Sequence, residues 1–348
     1  EDKVSNEPLI AEEPAGGKVV KAKGERQYGY KEYTLSNGAT VYIKPTDFKA
    51  DQILMRAVSK GGQALYDESE ALNLGETTDV VRNNGLGNFS NTELQKMLAG
   101  KNLSVTPYIS NATHGVQGSS TPKDLETAFQ LLYLTITDPR FDENEFQTGI
   151  QQIKAVLPNI QNDPDFQYQI EKEKVFYNNN PRVLALNDEL LAKANLATIE
   201  RVYRELFKDA AGAEVTIVGN VDLSTLKPLV EKYIGSLPKG KKATDFNKDN
   251  CISVAEGQIE KTVSLKMQTP KSTVHQLYTA KLPFDIKTGV ALDVANYILD
   301  MIYTKTIRED EGGTYGVGTS LVAQRTPVER LVGQIYFDTN PEAAAKLD

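Results

Sequence analysis

The sequence predicts an α+β protein, in which helices pack on sheets whose strands are largely joined by hairpins. Residues 30–43 alternate apolar and polar side chains around the tight turn Asn37-Gly38, which is the pattern of a β-hairpin. Residues 103–117 predict a second hairpin, and residues 122–137 have the spacing of an amphipathic helix. Because hairpins join these strands, the pattern favours α+β over a doubly wound parallel sheet.

The remaining elements follow from the same periodicities and from turn residues. Further strands are expected at residues 53–58, 213–218, 262–267, 274–280, 314–322 and 330–337. Further helices are expected at residues 68–82, 90–99, 143–158, 167–176, 196–206, 223–234, 290–307 and from residue 341 onward. Ser90, followed by Glu93, has the spacing of a capping box at the start of its helix.

Size and composition exclude several classes of protein. The chain has 348 residues, of which 40% are hydrophobic and 25% are charged, as in a soluble globular protein of two domains. The net charge of -8 argues against binding to nucleic acid or to an anionic membrane. No apolar run approaches the roughly 20 residues that span a bilayer. The single Cys251 excludes an internal disulfide and a cysteine-based zinc site.

The chain divides into a tail and two folded parts. Residues 1–28 are rich in Glu, Lys, Ala, Gly and Pro without periodicity, which is typical of a linker or tether. We expect a first domain at residues 29–240 and a second at residues 241–348, with a linker near Pro238 and the following lysines. The second repeats the first in outline and then stops, so we expect the chain to end inside it.

One stretch, residues 307–318, combines the features of a binding site. Arg308 lies at the end of a predicted helix, Gly312-Gly313 follow, and Tyr315 begins a predicted strand. If the glycines fold the chain back, Arg308 and Tyr315 can point into the same space and stabilise charge on a carbonyl oxygen. From these residues alone, a surface arginine and a packed tyrosine are the favoured interpretation.

Six segments, taken in order, resemble the pitrilysin/insulinase family of zinc peptidases, the inverzincins. They are T-L-S-N-G-A-T-V-Y-I (34–43), A-V-S-K-G-G (57–62), D-L-E-T-A-F-Q-L-L-Y (124–133), D-P-R-F-D (138–142), V-T-I-V-G-N-V (215–221) and I-R-E-D-E-G-G-T-Y-G-V (307–317). The resemblance covers about residues 29–348. It implies two consecutive α/β roll domains of the pitrilysin-like metallopeptidase fold, the second one truncated.

The zinc motif of the family, H-x-x-E-H, is missing here. With Gly85 aligned to the glycine after the motif, Glu76 and Val80 occupy the histidine positions and Asp79 occupies the glutamate position. The only histidines, His114 and His275, lie far along the chain from that helix, and each is expected to be an ordinary strand or loop residue. The resemblance therefore implies no metal site in this chain and zinc in a partner half.

The family also places an Arg, followed seven residues later by a Tyr, in the half without zinc, where they bind substrate. Arg308 and Tyr315 match this spacing, so the resemblance favours the functional interpretation of the pair. It implies the non-catalytic half of a zinc metalloendopeptidase, inactive as an isolated chain, that encloses unfolded peptides with a homologous zinc-bearing half. An inert scaffold or peptide-binding module of the same fold is the alternative.

Two further expectations concern peptide binding and location. A strand near residues 57–62 could bind a peptide by strand addition if it lies at a sheet edge, but an ordinary paired strand is an equal alternative. We expect a periplasmic or otherwise extracytoplasmic location, with a cytoplasmic one as the alternative, because cysteine poverty is compatible with both.

Overall fold

The computed structural model of the chain describes residues 4–240, 246–310, 314 and 316–348. The chain folds into two compact units, each held together mainly by its own packing. Unit 1 comprises Glu1–Leu157 and Leu186–Cys251, and unit 2 comprises Pro158–Ala185 and Ile252–Asp348. The expected domains, residues 29–240 and 241–348, stay a prediction, and the compact units differ from them in placing Pro158–Ala185 with the second unit.

Unit 1 is built on a seven-stranded sheet. Its strands are β1 (Val19–Gly24), β2 (Lys31–Leu35), β3 (Thr40–Pro45), β4 (Ile53–Lys60), β5 (Leu103–Ile109), β6 (Thr113–Ser120) and β7 (Glu214–Gly219). They lie in the order β1-β2-β3-β7-β4-β6-β5. All neighbours are antiparallel except β3 and β7, which run parallel. β7 thus separates two groups of strands that come from earlier parts of the chain.

Each unit combines its sheet with helices. In chain order they are α1 (Ala71–Asn84), α2 (Asn91–Met97), α3 (Leu125–Thr137), α4 (Glu143–Gln161), α5 (Pro164–Phe176), α6 (Asp188–Leu191), α7 (Leu196–Phe207), α8 (Leu223–Leu229), α9 (Ile286–Tyr303) and α10 (Pro341–Leu347). Helices α5, α9 and α10 belong to unit 2. No helix in the described part of the chain is long and apolar enough to cross a membrane.

One face of the large sheet forms the core of unit 1. In β3, Val41 and Ile43 are fully buried, whereas Tyr42 between them is only half-buried, as strand periodicity requires. The buried faces of α1, α3, α7 and α8 pack on these inward residues in one apolar cluster. Tyr203 of α7 is fully buried there, and its hydroxyl donates a hydrogen bond of 2.5 Å to the Thr135 carbonyl oxygen.

The N-terminal part of unit 1 differs from the expected tether. Residues 13–24, called the N-terminal strap below, end in β1, which pairs with β2. The N–H of Gly17 donates to the Glu231 carbonyl oxygen at 2.8 Å, and the N–H of Val19 donates to the Glu231 carboxylate at 2.9 Å. The polar composition of residues 1–28 did not predict these contacts, because main-chain hydrogen bonds require no particular side chains.

Unit 2 contains a three-stranded sheet. Its strands are β8 (Ser272–Lys281), β9 (Val317–Gln324) and β10 (Arg330–Thr339), in the order β8-β10-β9 with both pairs antiparallel. Helix α9 packs on β9, and α10 packs on β8. Lys271 forms ion pairs with Asp165 of α5 at 2.9 Å and with Asp338 of β10 at 3.7 Å, which joins Pro158–Ala185 to the rest of this unit.

Most predicted elements are present, and the α+β class is confirmed. The capping box at α2 is also confirmed, since the Ser90 side chain accepts from the N–H of Glu93 and the Glu93 carboxylate accepts from the N–H of Ser90. The strand expected at residues 262–267 is wrong, because these residues form no strand. These residues alternate in polarity as a strand does, but they pair with none of the described strands, and a strand needs a neighbour to satisfy its backbone groups.

Candidate functional site

Arg308 lies on an irregular helical turn at the end of α9. The helix begins at Asp285, whose carboxylate accepts the N–H of Thr288 at 2.7 Å. It continues into a π-helical segment, Thr304–Asp310, in place of the regular helix predicted up to residue 307. Within this segment Ile307 is buried, whereas Arg308 is exposed. The π-helical turn, a geometry frequent at functional sites, thus presents the guanidinium to solvent.

The predicted partner of Arg308, Tyr315, lies outside the described residues, as do Gly312 and Gly313. Beyond them, the Thr314 hydroxyl donates to the Gly316 carbonyl oxygen at 3.0 Å, and β9 begins at Val317. The chain therefore passes from a helix end bearing Arg308 to a strand start next to Tyr315, in the predicted order. Convergence of the two side chains stays a prediction.

By the sequence resemblance, α1 corresponds to the zinc helix of the pitrilysin/insulinase peptidases, and its side chains do not fit zinc. Val80 is buried among apolar side chains and offers no ligand atom. The Asp79 carboxylate lies 3.3 Å from the Arg82 guanidinium. Burial, and to a smaller extent the Asp79 charge, raises the pKa of Glu76, which opposes the ionised form that a metal requires. This carboxylate pair lacks the imidazole ligands of a catalytic zinc site.

His114 is a structural residue of the unit 1 core. It is buried, its Nδ1 accepts the N–H of Gly62 at 3.2 Å, and its Nε2 lies 2.8 Å from the Leu206 carbonyl oxygen. The ring meets Phe207 edge-on, with 5.6 Å between ring centroids. Burial lowers its pKa, and both ring nitrogens are engaged by backbone groups. The neutral imidazole is therefore bound inside the protein and is unavailable as a metal ligand.

His275 has a similar role in unit 2. Its Nε2 lies 2.8 Å from the Gln334 side-chain oxygen, and its ring lies between Phe176 and Tyr336. Burial is the main cause that lowers its pKa. Among the residues that the structure describes, no group of three or more His, Cys, Asp or Glu side chains could hold a metal ion.

The strand proposed for peptide addition is internal. Residues 57–62 overlap β4, which pairs with β7 on one side and with β6 on the other. Up to Val58 the strand is therefore an ordinary paired strand, whereas Ser59 and Lys60 pair with β6 in the described register and not with β7. The sequence pattern near β4 could not show that β4 is paired on this side, because its neighbour β7 comes from more than a hundred residues later in the chain.

Residues 193–347 match the family model described as the Peptidase M16 inactive domain. This stretch begins just before α7 and includes Arg308, β9, β10 and α10. The missing zinc ligands of α1 agree with this match, and over residues 193–347 the chain is similar to the inactive domain of M16 peptidases.

The curated relatives are described as zinc proteases. The chain is 24% identical over 354 residues to the zinc protease PQQL-like of Arabidopsis thaliana, covering 98% of this chain and 34% of that protein. It is also 24% identical over 297 residues to the probable zinc protease PqqL of Escherichia coli strain K12, covering 83% of this chain and 31% of that protein. The chain thus spans about a third of the length of these relatives.

A solved structure shows the same fold. The periplasmic protease PqqL from Escherichia coli superposes with a TM-score of 0.77 at 21% identity, covering 99% of this chain and 38% of that one. The resemblance of the chain to the pitrilysin/insulinase zinc peptidases is thus confirmed.

Proposed function

We propose that this chain acts as the non-catalytic half of a zinc metalloendopeptidase. It encloses unfolded peptide substrates together with a homologous half that bears H-x-x-E-H, and it supplies Arg308 and Tyr315 to the active site. The observation that carries this proposal is the exposure of Arg308 on the π-helical turn after α9, within the stretch that matches the inactive domain. The zinc belongs to the partner half, and none is assigned to this chain.

The chemistry of the pair suits a peptide backbone. Arg308 offers a planar fork of N–H donors, and Tyr315 offers one O–H donor. Donors positioned where negative charge develops on a carbonyl oxygen stabilise the transition state more than the ground state. Arg308 would also anchor the substrate, since a guanidinium can bind backbone oxygens on either side of the reacting bond.

One solved structure supports a proposal on location. The PqqL structure is described as that of a periplasmic protease, and we propose an extracytoplasmic location for this chain as well. The net charge of -8 would favour cationic substrates through long-range attraction, which depends on ionic strength.

Reconstitution tests the proposal. The H-x-x-E-H-bearing half is assayed on an unfolded peptide, alone and with this chain, while complex formation is measured separately by sedimentation. We expect hydrolysis only in the complex, and we expect it to depend on Arg308. If the complex forms but hydrolysis is the same with and without this chain, the chain is an inert scaffold and the proposal is wrong.

A further inference from the structure

The sheet of unit 2 has two different faces. In β10, Phe337 is buried on one face, whereas Tyr336 is 49% exposed on the other, as the alternation of a strand requires. The register places His275 of β8 and Gly318 of β9 directly beside Tyr336. Residues directly opposite one another in a sheet share a face, so these three residues define one surface, called the outer face below.

Helix α5 lies over the β8 side of the outer face. Tyr168, Lys172 and Phe176 are spaced four residues apart and therefore share one side of this helix. The Phe176 ring meets the His275 ring edge-on, with 4.9 Å between ring centroids. Burial, and to a smaller extent the Asp338 charge, raises the pKa of Tyr168, in agreement with its position over the sheet. One side of the outer face is thus walled by α5.

The ring of Tyr336 lies across Gly318. A Cβ added at Gly318 would come within 2.5 Å of the Tyr336 hydroxyl oxygen and closer still to Cζ, so only a glycine leaves room for the ring there. The ring of His275 lies beside it, with 5.5 Å between centroids and a tilt of 39°. Nε2 of His275 is in turn 2.8 Å from the Gln334 side-chain oxygen. The Tyr336 ring is therefore held by its neighbours while about half of the residue stays open to solvent.

The outer face continues from Tyr336 as an apolar surface. Val322 of β9 is 52% exposed, and Val332 of β10, directly opposite, is half-buried. Both lie an even number of residues from Gly318 or Tyr336 along their strands, so they share the same face. An aromatic ring held in one position next to exposed aliphatic side chains suits an apolar side chain of a binding partner.

Strand β9 connects this surface to the proposed Arg308–Tyr315 pair. Gly318 follows Tyr315 by three residues, and three residues of extended chain span at most about 11 Å. An extended peptide covers the same distance with about three residues of its own. A substrate held by Arg308 and Tyr315 can therefore place a side chain close to its cleaved bond on the ring of Tyr336.

We propose that the exposed ring of Tyr336 binds an aromatic side chain of the peptide substrate, within about three residues of the cleaved bond. This inference rests on the proposed function and gives it a substrate preference. Ring pairs attract one another in offset or edge-on arrangements, which the open side of Tyr336 permits. A cationic side chain is disfavoured, because the Asp338 carboxylate is already paired with Lys271 and with the Thr273 hydroxyl. Gly318 is a positioning residue that keeps the space for the ring.

Binding to the isolated chain tests the proposal without the zinc half. Two labelled unfolded peptides, identical except for one Phe that is Ala in the second, are titrated into the 348-residue chain. We expect the Phe peptide to bind about tenfold more tightly and Tyr336→Ala to abolish this difference. Tyr336→Phe keeps the ring and should retain the preference.

Two further variants make this test specific. Gly318→Ala leaves Tyr336 in the chain but displaces its ring, so it should lower the preference for the Phe peptide as well. Tyr278→Ala removes a tyrosine that is 53% exposed on the opposite face of the same sheet, and it should keep the preference. The ratio between the two peptides is the readout, because a variant that only loosened the fold would weaken the binding of both alike.

The reassembled enzyme gives the second measurement. Tyr336→Ala should lower kcat/KM about tenfold for the Phe peptide and leave that of the Ala peptide unchanged, whereas Arg308→Ala should lower both. Equal binding of the two peptides by the parent, or a preference that Tyr336→Ala retains, overturns the inference while the dependence of hydrolysis on Arg308 stands. A preference that needs Tyr336, in a complex whose hydrolysis does not need this chain, supports the inference and overturns the proposed function.

Discussion

The Nε2 atom of His114 lies 2.8 Å from the carbonyl oxygen of Leu206, which ties β6 to α7 inside the core. Nδ1 accepts the N–H of Gly62, so the neutral ring carries its proton on Nε2 and donates to Leu206. Protonation would place a second N–H against the N–H of Gly62. Burial accordingly lowers the pKa of His114 below its ordinary value of 6.5.

Stability should therefore depend on pH through His114. Above about pH 6.5 the His114 ring is mainly neutral in both the folded and the unfolded chain. As pH falls below 6.5, the unfolded chain binds the proton first, and stability is lost until pH passes the lower folded pKa. Between about pH 7.5 and pH 5.5, we expect the melting temperature of His114→Gln to fall less than that of the parent. His275→Gln is the control and should reduce it less, because His275 is only half-buried. Equal acid sensitivity of His114→Gln and the parent would contradict this role.

The isolated chain should bind no stoichiometric zinc and cleave no peptide. Val80 is buried and apolar, Asp79 lies beside Arg82, and both histidines are engaged in hydrogen bonds of their own. Metal analysis after dialysis, together with a peptide assay, measures both properties. Glu76→Gln should give the same result as the parent. Close to one zinc per chain, with hydrolysis that a chelator blocks, would disprove the prediction.

In the reassembled enzyme, Arg308→Ala and Tyr315→Phe should each impair catalysis. Losing one donor to a developing oxyanion typically costs about 3 to 4 kcal/mol, or about a hundred- to a thousand-fold in rate. Tyr315→Phe should lower kcat, and Arg308→Ala should lower kcat/KM at least as much because it also loses substrate anchoring. Lys287→Ala, which removes an exposed cation at the other end of α9, is the matched control. Activity within a few-fold of the parent for both variants, at unchanged melting temperature, would leave this chain a structural role only.

The N-terminal strap should contribute to the stability of unit 1. A Cβ added at Gly17 would lie 2.8 Å from the Ser36 hydroxyl oxygen and 3.0 Å from the Gly235 carbonyl oxygen. Gly17→Val should therefore destabilise the chain by about 1 to 3 kcal/mol, measured by urea unfolding. Gly24→Ala in β1 is the control, since its Cβ would meet only the flexible Lys31 side chain. If Gly17→Val is as stable as Gly24→Ala, the segment is a tether as its composition indicated.

Short sequence patterns were sufficient to predict the structural features that depend only on neighbouring residues. The capping box of Ser90 and Glu93, the hairpin turn at Asn37-Gly38 and the apolar face of α3 are all where the sequence predicts them. Each depends on residues within one or two turns of the same element. The position of Arg308 at a helix end was predictable for the same reason.

The features that the sequence did not predict depend on tertiary contacts or on backbone geometry. Residues 262–267 have the alternation of a strand, but pairing requires a neighbour that the alternation does not reveal. β4 has the pattern of a strand that could lie at an edge, and only the arrival of β7 makes it central. The change from α-helix to π-helix at Thr304 shifts hydrogen bonds by one residue, which leaves apolar spacing almost unaltered. The motif thus placed Arg308 at a helix end, whereas the π-helical geometry of that end was not predicted.

The position of β7 imposes an order on biosynthesis. Val215 of β7 pairs with both Val41 of β3 and Ala57 of β4, so the sheet cannot close before residue 215 has left the ribosome. Until then, two partial sheets each present an unsatisfied backbone edge, which is a template for aggregation. Pairing of strands this far apart in sequence is slow, because the intervening chain must lose conformational entropy before the strands gain any hydrogen bonds. A nascent-chain chaperone would therefore matter most between synthesis of β3 and synthesis of β7.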